Sequence, residues 1–458
     1  RMERYLMDKA FEYIDQNFDR FVDELAALVR IPSVSAQKKG LEDCACHLVS
    51  RMKEIGLHAE IMPMGGSDNP PLVYGRLDPP GARRTLFIYG HLDVQPPEPL
   101  EDWDSPPFEP EIRDGRMFGR GPGDNKGQMY SHLKAMEALQ TSGGGIPVNL
   151  RILLDPQEEI GSPMLESFVT SHAGLFKADY GYNADGAAAD GNIPIISFGN
   201  RGTCYLELNV KAAKRDAHSG QYGGPLPNGA WRLVEFLETL RDEKGRAAIE
   251  GFYDEVVPPD EIDSAAMRAI PFDPQDWLQE MEIEEMAGPP ELTYFDKIMF
   301  QPTLNICGLT SGYGGPGTKT VIPCRASAKI DMRLVKNQTP QEIYEKFKAH
   351  THKHGFDDIE ITRYMGYYPS KTPLDHPMSK TVIAAVEEVF GKRPLLYPVT
   401  GGSNPSYIFN ELIGIPMVKC TYANFDEANH APNENLSLDF YRMGIKTSAK
   451  VIHDLAKN

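Results

Sequence analysis

Two residues that could do chemistry, His91 and Asp93 in Gly90-His91-Leu92-Asp93-Val94-Gln95-Pro96, follow the apolar run Thr85–Tyr89. Imidazole is the commonest metal ligand, and a carboxylate nearby can orient it. Alone, the pair fits an ordinary turn. The chain, however, also sets Glu158 and Glu159 beyond the apolar run Val148–Leu154, and Asp185 beyond Tyr180–Asn183. His430 and Glu434 follow Pro416–Cys420, and Asp124 lies in Gly121-Pro122-Gly123-Asp124-Asn125-Lys126-Gly127-Gln128, just ahead of a helical pattern. Parallel strands end on one common edge, where open α/β proteins bind their ligands. The spacing therefore predicts two imidazoles and several carboxylates in one crevice.

Crowded carboxylates repel one another unless cations neutralise them. Imidazole and carboxylate without thiolate suit zinc or a similar divalent ion, and a catalytic site keeps one coordination position open for water. Asp124, Glu159 and Asp185 bring three negative charges. Two divalent ions bring four positive ones, so a single hydroxide closes the balance, whereas one ion leaves buried negative charge in excess. The charge count favours two metals.

The elements that must position these groups alternate helix and strand. Helical periodicity runs over Tyr5–Val29 and Leu41–Ile55, and strands are predicted at His58–Met62, Leu72–Arg76 and Thr85–Tyr89. A helix over Gln128–Leu139, the strand Val148–Leu154, a helix near Met164–Ser171 and the strand Tyr180–Asn183 continue an α/β layout with a mostly parallel sheet and helices on both faces. Near Arg201 the pattern changes to alternating strands, as in Gly202–Ala212, Ser327–Leu334 and Asp358–Arg363, with helices at Trp231–Asp242 and Pro340–His350. That is the signature of an α+β sandwich. The α/β character returns with helices at Met378–Phe390, Asn404–Glu411 and Leu436–Ala456 and a strand at Pro416–Cys420. The expected organisation is a discontinuous catalytic domain, residues 1–202 and 374–458, carrying an inserted lid or dimerisation domain, residues 203–373. The acidic stretch Glu250–Lys297 reads as surface decoration.

A chain of 458 residues suits two or three domains, and 41% hydrophobic residues are enough for real cores. With 47 basic against 65 acidic residues, a net charge of −18 argues against nucleic acid or an anionic membrane as partner. No apolar run is long enough to span a bilayer, and the charged start Arg1-Met2-Glu3-Arg4 is not a signal peptide, so a cytoplasmic protein is expected. Six scattered cysteines read as buried free thiols. The cluster His350, His352 and His354 reads as a solvated helix end.

The stretches GHLDVQP, GPGDNKGQ, EEIGSP, DAHSGQYGG, KTVIP, RLV, GGSNP and HAPNE stand in the order and spacing of the co-catalytic dizinc metallopeptidases that include carnosinase and cytosolic non-specific dipeptidase. Aminoacylase, glutamate carboxypeptidase and succinyl-diaminopimelate desuccinylase are more distant relatives. The chain resembles this family over nearly its whole length. The resemblance implies His91 and Asp185 on one metal, Glu159 and His430 on the other, and Asp124 between them, with zinc the first choice and manganese or cobalt as alternatives. It implies Asp93 as the partner fixing the His91 tautomer, and Glu158 as general base toward a water held by both metals. His218 is similar to a histidine that binds the oxyanion from a partner subunit, implying a homodimer through the inserted domain. Arg333 would clamp a substrate carboxylate, and Ser403, Gly402, Thr320 and Asn305 would position the substrate.

Taken singly, each group has a plainer explanation. Glu158-Glu159 fits a solvated helix start, His430 a loop, His218 the opening of a glycine-rich loop, Asp124 an N-cap, and Arg333 a surface residue paired with Asp331. These readings are nearly independent, and all would have to hold together. Leu92, Asn125, Asp155 in Asp155-Pro156-Gln157-Glu158-Glu159, Asn404 and the neighbours Asn429 and Ala431 depart from the usual family residues, while the implied ligands are kept. The expected activity is hydrolysis of dipeptides or other small peptides with a free C-terminal carboxylate. An N-acyl-amino-acid deacylase and a non-catalytic metal-binding relative are the alternatives.

Overall fold

The computed structural model describes residues 2–66, 68–142 and 144–457. The chain divides into two compact units: residues 1–199, 371–398 and 408–458 form the first, and residues 200–370 and 399–407 the second.

The first unit is built on an eight-stranded sheet. Its centre is Asn149–Asp155, Thr85–His91, Tyr180–Ala184 and Met417–Cys420, adjacent in that order and mutually parallel. Antiparallel pairing is confined to the flanks, where Pro71–Leu77 meets both His58–Pro63 and Asn149–Asp155, and Ile195–Ser197 meets Met417–Cys420. The central strands are almost wholly buried, which explains their continuous apolar runs. Their register brings His91 opposite Asp155, and Cys420 opposite Ala184, so the residues after each strand emerge together.

Helix Lys126–Thr141 is buried along most of its length and packs on helix Leu438–Asp454. It begins tightly: a Cβ at Gly127 would lie 2.2 Å from the Pro122 carbonyl oxygen, so only glycine fits there. The periodicity over Tyr5–Val29 resolves into two helices, Met2–Gln16 and Phe18–Val29, broken at Asn17, whose side-chain amide donates to the Tyr13 carbonyl.

The second unit carries an antiparallel sheet in the order Thr303–Ser311, Arg325–Leu334, Gly202–Lys211, Glu360–Tyr367. Cys204, Leu206, Leu208 and Val210 alternate inward from Gly202–Lys211 onto Leu233 and Phe236 of helix Gly229–Thr239 and Ile343 and Phe347 of helix Pro340–Lys353. Three expectations are corrected here. His350 is buried, hydrogen-bonded to the Thr239 hydroxyl and packed on Phe236, while His352 and His354 are exposed. The stretch Glu250–Lys297 is more than decoration, because Phe252, Met267 and Ile270 are buried and two capped helices, Glu261–Arg268 and Pro274–Glu280, form within it. Cys46 and Cys307 are exposed, whereas the other four thiols are buried.

Candidate metal centre and active site

The ends of the central strands deliver their groups to one place in the first unit. Donor atoms of His91, Asp124 and Glu159 lie within 4.8 Å of one another. The Asp124 carboxylate is divided between the two histidines: Oδ1 is 3.1 Å from His91 Nε2, and Oδ2 is 3.1 Å from His430 Nε2. His430 Nε2 is also 3.1 Å from Glu159 Oε2. The imidazole of His430 rides on a left-handed backbone (φ +59°), a sparsely populated conformation for a side chain of this size.

Asp93 organises the other side. His91 Nδ1 lies 3.1 Å from its carbonyl oxygen and 3.3 Å from its Oδ1. Both are acceptors, so Nδ1 carries the proton and Nε2 turns its donor face to the cluster. The Asp93 carboxylate also accepts the backbone N–H groups of Glu158 and Glu159, each at 3.1 Å, and so holds the turn on which both ride. Glu158 Oε2 stands 4.0 Å from His91 Nε2. Asp185 is joined through Asn125, whose amide donates to the Ala184 carbonyl (2.6 Å) and to Asp185 Oδ1 (3.3 Å). The Asp124–Asn125 peptide is cis.

The electrostatics fit a cation site. Burial, reinforced by Asp185, Asp124 and Glu159 and opposed by His91, pushes the Glu158 carboxyl up to about 8. Burial likewise raises Glu159. Hydrogen bonds to Asp124 and Glu159 raise His430 to about 10. Burial disfavours the His91 imidazolium, but hydrogen bonds to Asp124 and Asp93 overcome it and raise its pKa. Burial also raises Asp124, yet the two histidines prevail and hold its carboxyl below the ordinary range. The donor set, all nitrogen and oxygen, suits divalent cations.

Two neighbours hold the geometry in ways that the residue pattern does not reveal. Glu434, fully buried, accepts from the backbone N–H groups of Gly121 (3.0 Å), Gly123 (3.1 Å) and Asp124 (3.0 Å), and from Arg120 Nη1 (2.7 Å). Gln95 donates to Glu159 Oε2 (3.0 Å). Glu434 is legible as a carboxylate beyond the strand Pro416–Cys420, though not its role as an acceptor, and Gln95 only as part of GHLDVQP.

The remaining expected site residues belong to the second unit. There Arg333 Nη1 donates to Ser403 Oγ (3.0 Å), its Nε to Asp331 (2.9 Å), and Ser403 Oγ donates to the Arg201 carbonyl (2.6 Å). Gly402 is exposed with open space around it. Asn305 pairs with Asp331 across the sheet. His218 is exposed, accepts from Gly220 N (3.0 Å), and neighbours Thr320, whose carbonyl accepts from Ser219.

The sequence pattern described as Peptidase family M20/M25/M40 matches residues 87–454. The chain belongs to the M20/M25/M40 peptidases. This M20 chain is 28% identical over 472 residues to a Beta-Ala-His dipeptidase of Rattus norvegicus, covering 98% of the chain and 96% of the relative. It is 30% identical to a Cys-Gly metallodipeptidase of Schizosaccharomyces pombe, covering 98% of each. Among solved structures, an M20 family metallo-carboxypeptidase from Sulfolobus solfataricus superposes with a TM-score of 0.84 at 30% identity, covering 96% of the chain and 99% of that structure. Human carnosine dipeptidase 1 superposes with a TM-score of 0.74 at 28% identity, covering 99% of each. The M20 chain is therefore a metal-dependent peptidase, and among its described residues no helix is long and apolar enough to cross a membrane.

Proposed function

We propose that the chain hydrolyses dipeptides and other small peptides with a free C-terminal carboxylate at a dinuclear centre, zinc being the natural ion for this donor set. The observation that carries the reading is the division of Asp124, one oxygen toward His91 and the other toward His430. Such a carboxylate could be shared by two cations, which His91 and Asp185 on one side and Glu159 and His430 on the other would hold. Two cations also balance the charge of Asp124, Glu159 and Asp185 with one hydroxide. Relatives named as dipeptidases and as a metallo-carboxypeptidase support the substrate class.

When bound, the cations polarise the scissile carbonyl and make the attacking water acidic. Glu158 takes the proton from that water and passes it to the leaving amine. Burial among carboxylates pushes its carboxyl up to about 8, and a cation held by the cluster would favour its ionised, basic form. Asp93 keeps Nδ1 of His91 protonated and fixes the backbone of both glutamates. Arg333, oriented by Asp331 and Ser403, receives the substrate carboxylate, with Gly402, Asn305 and Thr320 shaping that end. His218, exposed on the second unit, serves the oxyanion from a partner copy in a homodimer. We place the protein in the cytoplasm, in keeping with six free cysteines.

Glu158→Gln is the test: bound metal should be unchanged while turnover falls ~10²–10⁴-fold. Wild-type turnover in that variant would remove Glu158 as base. Hydrolysis of N-acetyl amino acids in preference to free dipeptides would move the reading to a deacylase.

A further inference from the structure

The departure Asp155-Pro156-Gln157 has no part in the mechanism above, yet it ends the strand that leads to the general base. Asp155 is fully buried, three residues before Glu158. Its Oδ1 accepts the Gln157 backbone N–H (2.9 Å), and its Oδ2 accepts the Ser162 hydroxyl (2.6 Å) and the Tyr89 hydroxyl (3.1 Å). Gln157 and Ser162 bracket the single 3-10 turn Glu158–Ile160, and Ser162 N–H closes the bracket on the Gln157 carbonyl (2.8 Å). Ser162 has φ +50°, a left-handed conformation that a serine holds only when its surroundings enforce it. Tyr89, the third partner, is itself packed on Phe409 (ring centroids 5.1 Å apart) and lies on the His91 strand. One carboxylate therefore ties the two ends of the Glu158 turn to the strand that carries His91.

We propose that Asp155 is a positioning residue for Glu158. Asp93 holds the middle of the turn through the N–H groups of Glu158 and Glu159, and Asp155 holds its ends. The inference rests on the reading of Glu158 as general base, because what Asp155 sets is the reach of that carboxylate. Relaxing one end of a one-turn segment displaces a side chain on the scale at which misplacement by ~1 Å costs ~100-fold in rate.

The experiment compares Asp155→Ala, Asp155→Asn and Glu158→Gln, singly and combined, by kcat, KM on a dipeptide, and zinc bound per chain. Asp155→Ala should lower kcat ~100-fold with KM and bound zinc unchanged. Asp155→Asn, whose amide oxygen can still accept from Gln157, should fall between it and wild type. In the Glu158→Gln background, Asp155→Ala should lower the residual kcat no further. Tyr89→Phe and Ser162→Ala, each removing one hydrogen bond, should show the same kcat-only pattern more weakly, and they decide the matter if Asp155→Ala does not fold. Wild-type turnover in Glu158→Gln would overturn the base assignment itself. If Glu158→Gln is inactive, then wild-type kcat in the Asp155, Tyr89 and Ser162 variants, loss of zinc, or a further additive loss in the double variant each overturns the role of Asp155 alone.

Discussion

Glu434→Gln should destabilise the first unit and weaken the metal centre together. In the native protein one Glu434 oxygen accepts three backbone N–H groups from the segment that ends in Asp124, and the other accepts from Arg120. Arg120 is almost wholly buried, with a further contact to the Pro96 carbonyl at 3.3 Å, so water cannot replace the carboxylate. Burial, opposed by Arg120, raises the Glu434 carboxyl to about 7, so the comparison belongs near pH 8, where it is ionised. An amide can satisfy either the guanidinium or the three N–H groups with its single oxygen, and its NH₂ then faces donors. Breaking one partner of a buried ion pair costs about 3–5 kcal/mol. At a urea m-value of about 2–3 kcal/mol per molar, the midpoint should fall by about 1–2.5 M. Because Asp124 loses the anchor of its own N–H, zinc affinity should drop ~10–100-fold, the range for groups that hold a ligand in place. Urea titration followed by circular dichroism, with zinc affinity measured against a competing chelator, reads both. An unchanged midpoint with unchanged affinity would refute the argument. The double replacement Glu434→Leu with Arg120→Met should recover only part of the stability: it leaves no orphaned charge, but the N–H groups of Gly121, Gly123 and Asp124 still lose their acceptor.

Other outcomes are open to measurement. Arg333→Met should raise KM for dipeptides by about tenfold to a hundredfold, the equivalent of one charged hydrogen-bonding partner, with a smaller effect on kcat; an unchanged KM would remove Arg333 from the carboxylate site. Chains carrying His218→Ala mixed with chains carrying Glu158→Gln should regain activity, because a mixed dimer contains one site with both groups intact; a mixture as inactive as its parents would place His218 outside the reaction or within its own subunit's site. Acid stability should follow the part-buried cluster of Glu24, Glu137, Lys134 and Arg20. Burial opposes ionisation of Glu24 and Glu137, but hydrogen bonds to Lys134 and Arg20 hold both carboxyls below their ordinary value. Depressed native pKa values mean that this stabilisation is full above the unfolded pKa of about 4.3 and is lost as pH falls through the native values. Melting temperatures from about pH 6 to pH 3 should therefore decline less steeply in Glu137→Gln than in wild type.

The parallel centre of the large sheet was legible because its strands are buried on both faces and read as unbroken apolar runs. The convergence of imidazoles and carboxylates was legible because they follow those runs and parallel pairing ends the strands together. What escaped depends on contacts distant in sequence. The break at Asn17 leaves the apolar periodicity intact on either side. His350 looked solvated because its partners, Thr239 and Phe236, come from a helix more than a hundred positions earlier. Glu434 sits in a quoted motif, but its function depends on three N–H groups that converge only once the Gly121–Asp124 segment has its conformation. The predicted helix at Asn404–Glu411 forms over residues 406–412, the last five of them as a π-helical turn.

The nine residues Val399–Tyr407 cluster with the second unit although both flanking segments cluster with the first. Anyone building chimaeras to transplant substrate preference between such peptidases inherits a constraint. Exchanging the central block alone would part Arg333 from the Ser403 hydroxyl and Arg201 from the Gly401 carbonyl, contacts made from opposite sides of that splice. The transferable cassette is two separate pieces, residues 200–370 and 399–407, moved as a pair.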